Sequence, residues 1–342
     1  MIHDIAPKKI VNHYEPAERP DRNSYVLSFR GGKVLSLLES EEGNDTGRPK
    51  TPAGKAAGLR LELPTLSDLK NTWESIGGQS SPDAGPEKAA AFEEALIYLF
   101  SIDDDHYFLA DPALFTEVDY PEAEGPGMEA ALAACEASLT VGIGGWAFLD
   151  ARGMRQYLKE PKHQIFAILT GVQLGRWYSN NAYCGRCGAK TELDTKERMI
   201  RCPQCGNMIF PKVQPAVIIA VTNGDKLLLT KYADRPHKAY ALVAGFVEIG
   251  ETLEECVARE VMEEVGMKVR NIRYYKSQPW GIDDDLLAGF FCDVDGDDTI
   301  RLDHQELKEG AWLSREEVPG EPDDYSLTNE MMMLFKAGKE PQ

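Results

Sequence analysis

Gly245-Phe-Val-Glu-Ile-Gly-Glu251-Thr-Leu-Glu-Glu-Cys-Val-Ala-Arg259-Glu260-Val-Met-Glu263-Glu264-Val-Gly266 is the stretch from which the rest of the chain is read. Its spacing predicts a helix over 253–265, ended by Gly266 at the C′ position. Leu253, Val257 and Val261 form the apolar face that would enter a core. Glu260, Glu263 and Glu264 stand at i, i+3 and i+4, so their carboxylates share another face. Three like charges repel unless something positive sits among them. Hard divalent cations such as Mg²⁺ or Mn²⁺ take oxygen ligands of this kind and bridge to phosphates. Arg259 is spaced to pair with Glu251 and hold the glycine loop against the helix. A solvated acidic face is the plain alternative, and the glycine loop before the helix argues against it.

The flanks of this stretch read as strands. PAVIIAV at 215–221 and KLLLTK at 226–231 are joined by TNGD, whose Asn223-Gly224 is a hairpin signal. YALVAGFVEIGE leads into the helix, VRNIRYYKSQ and LLAGFFCDV follow it, and a last helix spans about 326–336. Strands with an inserted helix suggest an α/β sandwich; no GxGxxG is present to suggest a dinucleotide-binding parallel sheet.

Upstream, SYVLSF and GGKVLSLL read as strands. Lys88 to Phe100 and Met128 to Leu139 carry helical spacing, HYFL at 106–109 and Leu139 to Gly142 suit strands, and a helix runs from Pro161 to Asn180. Stretches 39–58 and 77–86 are rich in Gly, Glu, Pro and Ser and read as loop insertions. No internal repeat recurs at a fixed period.

Four of the seven cysteines form CGRC at 184–187 and CPQC at 202–205. Paired knuckles at this spacing in a reducing compartment imply zinc rather than cystines. Gly188 and Gly206 follow the second cysteine of each pair, where the tight turn needs a positive φ. With Cys184, Cys187, Cys202 and Cys205 as four thiolate ligands, no place remains for a reactive water, so the zinc is structural. Cys135, Cys256 and Cys292 stand in apolar surroundings and read as buried free thiols.

Composition bounds the rest. With 342 residues, 43% hydrophobic and 27% charged, the chain is an ordinary globular protein of two or three domains. That excludes collagen-like, coiled-coil and wholly disordered classes. The longest apolar run falls far short of the roughly 20 residues of a membrane span. No apolar segment follows the first lysines, so the expected address is the cytosol. Acids outnumber bases by 56 to 37, and a net charge of −19 opposes tight general binding to nucleic acid or anionic membrane. Residues 151–250 are locally basic, which suggests an anionic ligand there or a drift in composition between domains.

The full pattern Gly-x5-Glu-x7-Arg-Glu-Val-x-Glu-Glu-x-Gly matches the signature of the Nudix hydrolases. A four-cysteine ribbon directly before it resembles the NADH pyrophosphatase (NAD-capped RNA hydrolase) subfamily, as do FAILTGVQLGRWYSNNAYCGRCG, FPKVQPAVIIAV and SQPW at 277–280. The resemblance covers about 90–340 and leaves 1–85 poorly matched. It implies a Nudix α/β/α sandwich at 214–340, a zinc ribbon at 181–213, and a degenerate Nudix-like domain at 1–180. It also implies metal-dependent hydrolysis of NAD(H) to NMN(H) and AMP, and a homodimer.

Residue by residue, the resemblance implies metal ligation by Glu260 and Glu264, with Glu263 close by, the Ala244 carbonyl, and Glu306, for which Glu309 is the nearby rival. Arg259 joins Glu263 and Glu264 in the catalytic set, and Glu264 or Glu263 orients or deprotonates the water. Toward substrate it implies Glu197, Phe210 (where Tyr is usual), Phe246, and Gln278, Pro279 and Trp280 of SQPW. The subfamily continues this motif as an aromatic, proline-stiffened turn. Here Gly281, Ile282, Asp283, Asp284 and Asp285 stand instead, an acidic tip that disfavours an extra 2′-phosphate. Removal of NAD caps from RNA 5′ ends, hydrolysis of another nucleoside diphosphate derivative, and a non-catalytic dinucleotide-sensing zinc-ribbon adaptor are the rival functions. Lys212, Lys231 and Arg235 are candidates to meet the leaving phosphate; His237 and His304 read as surface residues.

Overall fold

The computed structural model describes residues 1–40, 59–77, 85–115, 118–158, 160–233 and 240–341. Most of the two expected loop insertions, together with Arg235 and His237, lies outside the described residues. The chain forms two compact units: Ile5–Lys212, and Val213–Gln342 together with Met1–Asp4.

The N-terminal unit contains β1 (Ile10–Val11), β2 (Tyr25–Arg30), β3 (Lys33–Ser40), β4 (Leu59–Glu62), α1 (Leu66–Gly77), α2 (Gly85–Ala95), β5 (Ile97–Ile102) and β6 (Asp105–Ala110). There follow α3 (Met128–Thr140), β7 (Ala147–Asp150), α4 (Met154–Tyr157), α5 (Lys162–Asn180), and the ribbon strands β8 (Glu192–Leu193), β9 (Ile200–Arg201) and β10 (Met208–Ile209). The sheet runs β1-β5-β6-β2-β3-β4, with β7 on β3, and β2 and β6 are parallel.

Two sequence expectations need correction here. The helix expected over 88–100 stops at Ala95. Ile97–Ile102 (IYLFSI) is a strand instead, because its aromatic and aliphatic side chains are buried on both faces and its backbone pairs with β6. The strand expected at 139–142 is the last turn of α3. Val141 N–H bonds the Ala137 carbonyl, and Leu139 and Val141 are exposed.

The zinc ribbon belongs to this unit. Each knuckle closes in the same way: Gly188 N–H bonds the Cys184 carbonyl at 2.8 Å, and Gly206 N–H bonds the Cys202 carbonyl at 3.0 Å. Gly188 and Gly206 have φ of 77° and 72°, the left-handed turn the sequence called for. Arg198 anchors the ribbon by donating to the carbonyls of Leu99 (2.5 Å) and Asn12 (3.3 Å), while Tyr14 donates to the Asp194 carbonyl at 2.8 Å.

The C-terminal unit carries β11 (Gln214–Asn223), β12 (Lys226–Tyr232), β13 (Val243–Phe246), α6 (Leu253–Val265), β14 (Val269–Trp280), β15 (Asp285–Val294), β16 (Leu307–Ser314) and α7 (Leu327–Lys336). Its sheet runs β14-β15-β11-β12-β16, with β13 on β11. β11 lies at the centre, parallel to β15, and its alternate side chains serve two cores. Val217, Ile219 and Val221 meet Val257, Val261 and Val265 of α6. Ile218 and Ala220 meet Leu327, Met331 and Phe335 of α7. A strand covered on both faces reads as an unbroken apolar run, which is why PAVIIAV does not alternate. The result is the α/β/α sandwich that the sequence suggested. Among the described residues, no helix is long and apolar enough to cross a membrane.

Candidate active site and zinc centre

Helix α6 is tightly specified at both ends. Thr252 accepts from Glu255 N–H at 3.2 Å while the Glu255 carboxylate accepts from Thr252 N–H at 2.8 Å, a capping box. At the other end Gly266 adopts φ 70° and donates back to the last turn. The helix therefore starts and stops in one register, which fixes the direction of every carboxylate along it.

Arg259 ties the preceding loop to the helix. Its Nε and Nη2 grip both oxygens of Glu251, at 2.7 and 2.9 Å, and Nη2 also donates to the Phe246 carbonyl at 2.9 Å. Nη1 bonds Glu260 at 2.7 Å and Glu263 at 2.9 Å. The guanidinium thus compensates two of the three clustered glutamates, Glu260 and Glu263. It holds the Glu251 carboxyl down to about 2.

Glu264 is different. Only 3% of it is exposed, and neither carboxylate oxygen makes a hydrogen bond. Burial, followed by the charges of Glu260 and Glu306, pushes its carboxyl up to about 8. Burial also raises Glu260, against the pull of Arg259. A buried carboxylate with no partner, beside two more acids, is a poor way to stabilise a fold and a good way to hold a cation. Gly245 makes room for this cluster. A Cβ there would lie 1.9 Å from the Glu260 carboxyl carbon, so only glycine lets that side chain lie across the strand.

Glu306 contributes to the field at Glu264, whereas its rival Glu309 is engaged by Lys231 (2.8 Å) and Tyr240 (2.6 Å). Ala244 sits on β13 opposite Ile218. The acidic side chains do not already converge on one point. Among the described residues, Cys184, Cys187, Cys202 and Cys205 are the one group whose ligand atoms all lie within 4.8 Å of one another. Their sulfurs pair at 3.6 Å (Cys184 and Cys205) and 3.4 Å (Cys187 and Cys202), and the Arg186 amide leads in drawing the Cys184 thiol down to about 6. Four close thiols, two of them (Cys184 and Cys202) drawn down by backbone amides, fit a tetrahedral zinc ion.

The residues read as substrate-facing are distributed as follows. Phe246 (52% exposed) and Phe210 (53%) present open rings, on the C-terminal and N-terminal units respectively. Glu197 is exposed in the ribbon, its own N–H bonded to Asp194. Gln278 is fully buried and spends both ends of its amide on backbone: Nε2 donates to the Tyr325 carbonyl at 2.7 Å, and Oε1 accepts from Leu327 N–H at 2.7 Å. Pro279 is exposed, and Trp280 donates its indole N–H to Asp283 at 3.2 Å. Gly281 to Asp284 form the β14–β15 hairpin turn, with Gly281 and Ile282 buried and Asp284 at φ 66°. Gln214 was not singled out by the sequence. It braces that turn through its N–H to the Asp284 carbonyl (2.8 Å) and its amide to the Asp283 carbonyl (3.2 Å) and the Asp285 carboxylate (3.5 Å). Its signal was its place beside Pro215 at the mouth of β11. His304 is exposed, as expected.

Comparison with known proteins fits this geometry. Residues 179–210 match the NADH pyrophosphatase zinc ribbon domain, and residues 212–331 match the NUDIX domain. The NAD-capped RNA hydrolase NudC of Stutzerimonas stutzeri is 33% identical over 187 residues, 54% of this chain and 67% of that protein. The chain belongs to the Nudix family. NudC of Pseudomonas aeruginosa is 36% identical over 186 residues, and NudC of Shigella dysenteriae 40% over 170; in each the likeness spans 66% of the relative's length and about half of this chain. Within the Nudix domain the match takes in both α6 and the turn after Trp280, and the ribbon match takes in all four cysteines.

Proposed function

We propose that this chain hydrolyses the pyrophosphate bond of NAD(H), giving NMN(H) and AMP. The observation that carries the reading is Glu264: a buried carboxylate without a hydrogen-bond partner, in the field of Glu260 and Glu306, at the end of a helix whose loop is pinned by Arg259. Mg²⁺ or Mn²⁺ would be held by Glu260, Glu264, Glu306 and the Ala244 carbonyl, with Glu263 close by. When bound, such an ion neutralises the pyrophosphate and polarises a water. The protein's own part is to bind and orient. Glu264 or Glu263 takes the proton from the attacking water, and Arg259 keeps loop and helix in register. Phe246 and Trp280 offer rings to the base or nicotinamide. Gln278 acts behind them, fixing the end of β14. The acidic turn at Asp283, Asp284 and Asp285 repels a 2′-phosphate, so NADH is cleaved faster than NADPH.

Removal of NAD caps from RNA is the second reading, favoured by the activity for which the NudC relatives are named and by the local basic stretch 151–250. A homodimer and a cytosolic site of action complete the proposal. The test is AMP release from NADH, NADPH and NAD-capped RNA with Mg²⁺, Mn²⁺ or chelator. Metal-dependent release with NADH ahead of NADPH is expected; no release from any dinucleotide, or faster NADPH cleavage, defeats the corresponding claim. Capped RNA cleaved far better than free NADH, with strong salt dependence, would make RNA the preferred target.

A further inference from the structure

Met1–Asp4 is separated in sequence from the rest of its unit by more than two hundred residues, yet it is packed into the C-terminal unit's core. Met1 is 2% exposed and Ile2 1%, and Met1 lies in the apolar cluster formed by Ile218, Phe291, Leu327, Met331 and Phe335. The Met1 amino group donates to Asp4 at 3.0 Å and Asp324 at 2.9 Å. Ile2 N–H donates to the Tyr325 carbonyl at 3.1 Å. That carbonyl is the one Gln278 Nε2 reaches at 2.7 Å, and the other end of the same amide takes Leu327 N–H. A carbonyl has two lone pairs, and here one serves the chain's first residues and the other the end of β14.

We propose that Met1–Asp4 is a positioning element for the substrate-facing segment 278–285, acting through the Tyr325 carbonyl and the Gln278 amide. This rests on the reading of Trp280 and the turn after it as substrate-facing. Without the Ile2 donor and the buried Met1 and Ile2 side chains, the 323–327 loop loses its outer support. Gln278 then has no fixed partner, and Pro279 and Trp280 lose their fixed direction. The carboxylate helix is held by separate contacts, Thr252–Glu255 and Arg259–Glu251, so the loss falls on binding rather than on the chemical step.

The experiment compares Ile2→Pro, which removes the N–H, and Ile2→Ala, which keeps it but removes buried bulk, with the unaltered full chain. Two readouts are taken: NADH kinetics, and hydrogen exchange of the 253–265, 276–286 and 323–330 segments. Ile2→Pro is expected to raise KM about tenfold with kcat within twofold, and to speed exchange in 276–286 and 323–330 at least tenfold while 253–265 is unchanged. Ile2→Ala gives the same pattern at smaller size and serves alone if the proline variant does not fold. Unchanged exchange in 276–286, loosening that includes 253–265, or a fall in kcat at constant KM overturns the proposal. If the unaltered chain does not cleave NADH, the functional reading fails, while the exchange data still decide whether the segment positions 278–285.

Discussion

Two helices of 13 residues lie against the sheets of the two units, and they are built for different ends. Helix α3 buries Ala131, Ala134, Cys135 and Ser138; α6 buries Cys256, Val257, Val261, Glu264 and Val265. Counted from their first residues, Cys135, Ser138 and Leu139 of α3 stand where α6 has Glu260, Glu263 and Glu264. Helix α3 also lacks a side-chain cap at Gly127, whereas α6 has a full capping box. A small apolar face is enough to seat a helix on a sheet. The acids of α6 therefore answer no packing need, and the buried one costs stability because its charge is desolvated without a hydrogen bond. What packing does not require, the site does.

The largest expected effect breaks this contrast at its centre. Glu264→Gln keeps shape and removes charge, so turnover should fall at least 100-fold, about the several kcal/mol that a lost metal ligand represents. Thermal stability should hold or rise, since a neutral amide is easier to bury than an unpaired carboxylate. Retention of more than about a tenth of the original rate would contradict a ligand role. Arg259→Lys should follow at about tenfold in rate, with a stability loss of about 1–3 kcal/mol. A lysine carries one point charge and cannot span Glu251, Glu260, Glu263 and the Phe246 carbonyl together. The check is AMP release alongside thermal melting, and a fully active lysine variant would remove Arg259 from the set.

A smaller effect concerns pH. Glu264 is raised to about 8 from its ordinary 4.5, so in metal-free protein its contribution to stability is intact below about pH 4.5, declines as pH climbs toward 8, and is level above that. A divalent ion has to displace that proton. Mn²⁺ affinity should therefore strengthen with pH up to about 8, by at most about tenfold per unit, and then flatten. Glu264→Gln should abolish this slope as well as weaken binding. Titration calorimetry at several pH values reads both, and an unsloped profile in the unaltered protein would mean that the carboxylate is already ionised.

The sequence carried the C-terminal unit well because its cues are local. Thr252, Glu255 and Gly266 bound the helix, Asn223-Gly224 turns the hairpin, and PAVIIAV has the unbroken apolarity of a strand covered on both faces. The Arg259–Glu251 pair and the four-thiol cluster were likewise legible from spacing. What spacing could not convey is long-range partnership. Gln278 reads as a free amide beside Trp280, but its partners Tyr325 and Leu327 lie more than forty residues away. Glu309 stood as the nearby rival of Glu306, and only the structure shows it engaged by Lys231 and Tyr240. Met1 and Ile2 gave no sign of joining a core built from residues beyond 213. In the N-terminal unit, helix formers at 88–95 ran into IYLFSI without a turn residue between, so the helix pattern ran on into a strand.

The smallest expected effect sharpens the comparison from the other side. Ser138 holds in α3 the place that Glu263 holds in α6, and its hydroxyl is fully buried with no hydrogen-bond partner. An unsatisfied hydroxyl costs about 1–3 kcal/mol of desolvation, part of which alanine recovers, while the lost oxygen leaves a void smaller than a methyl group. Ser138→Ala should therefore change stability by no more than about 1 kcal/mol, toward greater stability, and leave NADH turnover within twofold. Thermal melting and the same AMP assay decide it. If this change in α3 cut turnover tenfold, the N-terminal unit's helix would carry part of the site, and the division between a helix that only packs and a helix that reacts would fail.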